Sequence, residues 1–263
     1  MRRYITLAVS LLFVYTATAW NKFGQQSIAT LAEQNLTESA KAQTTQILGG
    51  SLSSAAWWLQ SVAKEPEYQH TNSWQFIHLT KELKSTTTSS EDGVVQIERC
   101  VDILKHRTQH SDSTVVVTLK TLIHLVADMH NLTHICIEGV EYSNKNFNFR
   151  VSNGFTGPKE VITKLTWRKF WESNIVNRHA TLSCELLAED LMVCYGPEKE
   201  NFSKGDVRHW AADMGSLSAP LYEWAVPDYY MTREQHNRLV QLNDKCMARA
   251  GFRLAALLND IFR

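Results

Sequence analysis

His124-Leu125-Val126-Ala127-Asp128-Met129-His130-Asn131-Leu132-Thr133-His134 decides how the rest of this chain is read. Three histidines and one aspartate fall within eleven residues. Residues four apart on a helix share a face, so His124 and Asp128 point the same way. His134 then lies just past the helix end. Imidazole nitrogen and carboxylate oxygen are ligands that zinc accepts. The same spacing also fits a core helix with hydrogen-bonded histidines, and spacing alone does not choose between the two.

Working outward, the chain reads as mostly helical. Residues 115–130 carry the apolar period of a helix, and 98–108 form another just before them. Residues 20–48 have apolar positions at three-to-four spacing and close on Gly49-Gly50, a helix stop. A Trp-rich helix spans 53–64 and ends before Pro66. Residues 86–92 are polar and read as a loop. Residues 138–158 lack a helical period, and their Asn, Gly and aromatic content predicts a long loop or small hairpin. Helices are expected over 159–178, 181–193, 206–224 and 232–262. The apolar stripe within 248–259 reads as core. With no repeat or linker, the expectation is one all-α domain.

The first nineteen residues read as a signal peptide outside that domain. Arg2 and Arg3 precede an apolar run from Ile5 to Tyr15, and Ala17-Thr18-Ala19 is an A-x-A cleavage site. The expected product is a secreted protein beginning at Trp20, with the domain spanning 20–263. Cleavage removes two arginines and leaves 25 basic against 27 acidic residues. A near-neutral chain has no electrostatic funnel for long nucleic acid. No second apolar stretch is long enough to span a bilayer. Secretion makes disulfides the default for the five cysteines, and their odd number leaves at least one free or paired between chains. Asn35, Asn131 and Asn201 head glycosylation sequons. Asn35 and Asn201 are the expected acceptors, because the Asn131 sequon falls in a turn expected to be buried.

Six stretches together resemble the S1/P1 nuclease family of secreted zinc-dependent single-strand nucleases and 3′-nucleotidases, related in fold to bacterial zinc phospholipase C. They are Trp20-Asn21-Lys22-Phe23-Gly24-Gln25, Ala56-Trp57-Trp58-Leu59, Trp74-Gln75-Phe76-Ile77-His78, the His124–His134 segment, Trp171-Glu172-Ser173-Asn174-Ile175, and Ala250-Gly251-Phe252-Arg253-Leu254-Ala255. The resemblance covers nearly all of residues 20–263. It implies a single-domain all-α bundle of the zinc phospholipase C and S1/P1 type, with three zinc ions held by nine residues at the base of one cleft. The N-terminal tryptophan of the family ligates through its free amine and carbonyl, so signal cleavage becomes part of site assembly.

Matched residue by residue, Trp20, His124, Asp128, His134 and Glu172 keep metal-ligand positions, with Glu172 standing for the family's Asp. Four positions depart. W-G-x-x-G-H ends on Gln25, W-A-D ends on Leu59, H-[FY]-I-D begins with Gln75, and H-x-V-W-D begins with Arg168. Leu59 offers no donor atom, and glutamine oxygens suit zinc poorly. A guanidinium cannot deprotonate and repels a dication. The family's Gly-Gly-Asn loop is also replaced here, by 138–146.

The resemblance so qualified implies a secreted nuclease-like protein with lost or impaired catalysis, holding at most one zinc. It would bind single-stranded RNA or DNA, nucleotides, a glycan or a protein surface, as a monomer. Arg168 and Lys169 are the expected phosphate partners and Phe76 the stacking ring. The competing reading is an active zinc phosphodiesterase with a reduced metal set. In it His124, Asp128 and His134 hold one ion, Glu172, His130 or His78 assist, and Asp128 is the catalytic candidate. The resemblance further implies a Cys100–Cys246 disulfide between a middle helix and the last.

Overall fold

The computed structural model describes residues 20–140, 148–156, 159–224 and 226–263, so the leader expected over 1–19 lies outside the described residues. The protein is mostly helical with small sheets, the all-α architecture expected. The expected helix over 20–48 is two. α1 (Lys22–Glu33) ends at Gln34, and α2 (Glu38–Leu48) restarts at Thr37, whose hydroxyl accepts from Ala40 N–H. Gly49 closes α2 at φ 65°, a left-handed cap that glycine adopts without strain. The Trp-rich segment is likewise two short turns, α3 (Leu52–Ala55) and α4 (Trp58–Val62).

Strand β1 (Ile77–Leu79) leads to α5 (Gly93–Lys105), capped by the Asp92 carboxylate. α6 (Asp112–Met129) follows, capped by Ser111. Every residue of α6 from Thr121 to Met129 is buried, as befits a helix enclosed on all sides. Its exit turn ends at His134 and runs into β2 (Ile135–Ile137), which pairs parallel to β1. The last helix packs against both α1 and α6.

The largest departure from expectation follows. Residues 159–166 are not helical: β3 (Asn148–Thr156) and β4 (Lys159–Thr166) form an antiparallel hairpin. Val161, Ile162, Thr163 and Thr166 are β-branched and favour the pleated chain. Helix resumes only in α7 (Trp167–Lys169), which passes into a π-turn over Phe170–Asn174. α8 (Cys184–Tyr195), α9 (Lys199–Phe202) and α10 (Val207–Ser218) follow. β5 (Tyr230–Met231) then joins β3 in parallel. α11 (Arg233–Ile261) completes the fold behind a reciprocal Thr232–Gln235 capping box.

All five cysteines are free thiols, and Cys100 and Cys246 are each buried without a bond between them. The expected disulfide is therefore not seen in this structure. Asn131 is fully buried and accepts from both the N–H and the hydroxyl of Thr133, which leaves no room for a glycan. Asn201 is exposed and Asn35 half-buried.

Candidate functional site

Four segments converge on one corner of the fold. Asn21 caps α1 by accepting from Gly24 N–H at 2.8 Å, and its own N–H donates to the Glu172 carbonyl at 3.0 Å. Trp20 is thereby buried, its indole N–H donating to the Ala127 carbonyl at 2.9 Å, one residue before Asp128. One turn along α1, Gln25 is buried and its Nε2 donates to Asp128 Oδ1 at 2.5 Å.

His124 and Asp128 meet across one turn of α6, with Nε2 3.2 Å from Oδ2. The other ring nitrogen, Nδ1, is 2.9 Å from the Ala56 carbonyl, which aims Nε2 at the carboxylate. Burial opposes charge on His124, but the Asp128 carboxylate outweighs it and raises its pKa. Leu59 and Gln75 lie beside this pair around a void of about 20 Å³. A water needs at least about 10–15 Å³, so the space suits one water. The Gln75 amide donates to the Asn72 carbonyl at 2.7 Å.

His134 belongs to a second pair. Its Nδ1 is 3.1 Å from the Gln75 carbonyl, and its Nε2 lies 3.5 Å from Glu172 Oε1. Arg168 Nε approaches the same carboxylate oxygen at 3.6 Å. The guanidinium sits 5.3 Å over the Phe76 ring, and that ring is 5.4 Å from His134. Phe76 thus packs between a cation and an imidazole. Lys169 is exposed.

Among the described residues, no group of three or more His, Cys, Asp or Glu side chains is placed to hold a metal ion. The expected trio of His124, Asp128 and His134 is not assembled as one group, because the turn after α6 directs His134 toward Glu172. Each pair supplies two donors, whereas catalytic zinc takes three protein ligands. Amide, methyl and guanidinium groups stand at the remaining positions. These residues do not fit a three-zinc cluster.

The other histidines of the competing ligand set are engaged elsewhere. His130 is buried, with Nδ1 2.7 Å from the Val126 carbonyl and Nε2 3.1 Å from Arg253 Nη1. His78 is tied to Asp92 at 3.0 Å, and that hydrogen bond above all pushes its pKa up to about 10. The carbonyls of Ala56 and Gln75 that orient the site imidazoles have no sequence signature, since any residue supplies a backbone oxygen.

A helical scaffold with ligand-type side chains where α1, α6 and the Arg168–Glu172 turn meet is the frame of a nuclease-like protein. A model of the S1/P1 Nuclease family matches residues 20–263, and the chain belongs to that family. S1/P1 nucleases are generally zinc-dependent and secreted. No curated protein matches the chain. No helix among the described residues is long and apolar enough to cross a membrane.

Proposed function

We propose that this chain is a secreted S1/P1-family protein whose three-zinc catalysis is lost or strongly impaired, and which serves as a binding module. The carrying observation is the internal partner at each surviving carboxylate: the Gln25 amide donating to Asp128 and the Arg168 guanidinium ion-paired with Glu172. In a metal-bound site those carboxylates would be neutralised by dications. Here a neutral amide donor meets one and an arginine that stays charged meets the other. Nucleotides or single-stranded RNA are the favoured ligands, through Arg168 and Phe76. A glycan or protein surface would rest on neither residue.

A specific spacing favours the second reading, an active enzyme with fewer metals. The 3.2 Å between His124 Nε2 and Asp128 Oδ2 suits two ligands of one ion as well as it suits a hydrogen bond. One experiment separates the two readings. Secreted, mildly purified protein is assayed for zinc per chain and for cleavage of single-stranded RNA and DNA. The proposal expects at most one zinc per chain and cleavage several orders of magnitude below an intact family member. Two or three zincs with robust cleavage would overturn it. N-terminal sequencing of that sample should begin at Trp20.

A further inference from the structure

Thr114, Val117, Thr118 and Thr121 recur at three-to-four spacing and share one stripe of α6. That stripe floors two adjoining clefts of about 490 and 440 Å³, and His70 and Trp74 line both. Each volume falls within the range of small-ligand pockets, about 300–1,000 Å³. The larger cleft shares no lining residue with the void beside His124 and Asp128, and the smaller shares Leu59 and Thr71 with it.

Two hydroxyls of the floor are unspent. Thr118 is 7 % exposed and Thr121 4 %. In other helices Thr30 and Thr44 donate to the carbonyl four residues back, at 2.9 and 2.8 Å. Among the described residues, neither the Thr118 nor the Thr121 hydroxyl has a hydrogen-bond partner. A buried hydroxyl without a partner is costly, and each of these can both donate and accept toward the cleft. The wall supplies ring faces. Tyr68 and Trp74 flank the 3₁₀ turn Gln69–Ser73. His70 meets Trp74 edge-on at 5.1 Å, and Trp58 meets Tyr68 edge-on at 5.3 Å. Tyr68 and Trp74 are both half-buried, so each ring is held in place with part of its surface open. The charged residues of the lining are Glu67, Glu91 and Arg99, which gives no positive excess for a phosphate backbone. From Thr114 to Thr121 the floor runs straight for about 10 Å of helix, which seats more than one sugar ring.

We propose that these clefts bind an uncharged, extended oligosaccharide. Such a ligand has apolar ring faces and hydroxyl edges, the chemistry that the lining offers in return. Its C–H faces stack on Trp74 and Tyr68, and its hydroxyls bond those of Thr118 and Thr121. The site is separate from Arg168 and Phe76, and it goes beyond the nucleotide reading made for them.

The test is calorimetric titration of the full chain with cellotetraose, with chitotetraose and with single-stranded RNA. At least one of the two sugars is expected to bind with a Kd at or below about 1 mM. The paired change Thr118→Val and Thr121→Val should weaken that binding about tenfold without lowering the melting temperature, because it removes two unbonded hydroxyls. Trp74→Leu should weaken it by at least as much. The readout uses neither zinc content nor cleavage, so its failure is distinct from a failure of the catalytic reading. Absence of binding to both sugars in the unmodified protein overturns the proposal. So does a folded variant of either kind that keeps full affinity. RNA binding that Trp74→Leu removes, with no sugar bound, would assign the clefts to nucleic acid and overturn it equally.

Discussion

Arg253 is 1 % exposed, and all three of its nitrogens have partners. Nε donates to the Phe202 carbonyl at 2.8 Å, Nη1 to His130 Nε2 at 3.1 Å, and Nη2 to Asp213. Burial lowers its pKa to about 10, which still leaves it charged at neutral pH. Burial first, and this cation second, push His130 well below the usual imidazole range. His130 therefore stays neutral, accepting from Arg253 and donating to Val126. Arg253→Ala should cost about 3–5 kcal/mol, since it strands a partly buried carboxylate and an imidazole acceptor. Urea unfolding of the two proteins measures this, and a loss under about 1 kcal/mol would contradict the network. The sequence hid this residue: Arg253 stands inside an apolar stripe, and its partners come from 40, 51 and 123 positions away.

His78 gives a pH prediction of opposite sign to the usual acid effect. Its pKa is near 10 when folded and near 6.5 when unfolded, so the folded state binds the extra proton between those values. Its contribution to stability is complete below about pH 6.5 and disappears as pH rises toward about 10. The His78 side chain is more than half exposed, so solvent weakens the effect. The stability gap between the wild-type chain and His78→Asn, followed by urea titration, should shrink from pH 6 to pH 10. A gap constant across that range would refute the ion pair with Asp92.

At the scale of elements, periodicity showed where helices lie and Gly49 where α2 ends, but neither showed the break between Glu33 and Glu38 that divides residues 20–48. α6 was legible because its apolar positions recur without interruption, and α2 because Gly49 follows it. The hairpin was less so. Residues 159–166 read from the sequence as the start of the following helix, although Val161-Ile162-Thr163 is a β-branched run and the helical Trp167–Lys169 turn begins only afterwards. The β1–β2 pairing could not be read at all, because three-residue strands gain meaning only from a partner 58 positions away. Packing between α1 and α11 can be tested at Gly251. A Cβ there would meet Leu31 Cδ2 at 2.7 Å and Cγ at 2.9 Å. Alanine would otherwise favour the helix by about 1 kcal/mol over glycine. The clash should win, so Gly251→Ala is expected to destabilise by about 1–3 kcal/mol, read as a lower melting temperature. A rise in melting temperature would mean that the two helices can move apart freely.

Across the whole molecule, the proposed function sets a retained and a replaced half of a metal site on one frame. Trp20, His124, Asp128, His134 and Glu172 converge through contacts that tie α1, α6 and the Arg168–Glu172 turn together. Gln25, Leu59, Gln75 and Arg168 stand among them, at the positions where the resemblance expects the family's other ligands. The motifs made those positions legible. The partners of the replacement residues were not, since the Gln25–Asp128 bond and the Arg168–Phe76 stack span 103 and 92 positions of chain. If the frame is intact and only donors are missing, returning them should return the metals. The combined variant Gln25→His, Leu59→Asp, Gln75→His and Arg168→His is expected to gain two or three zincs per chain by elemental analysis. It should also gain chelator-sensitive cleavage of single-stranded RNA, because paired metal ions activate water and neutralise phosphate. Its melting temperature should fall when zinc is stripped, since bare carboxylates would lose the Gln25 donor and the Arg168 ion pair. A folded variant that takes up no zinc would show that the frame itself has moved away from a metal-holding geometry. In that case lost ligands alone would not account for the proposed loss of catalysis.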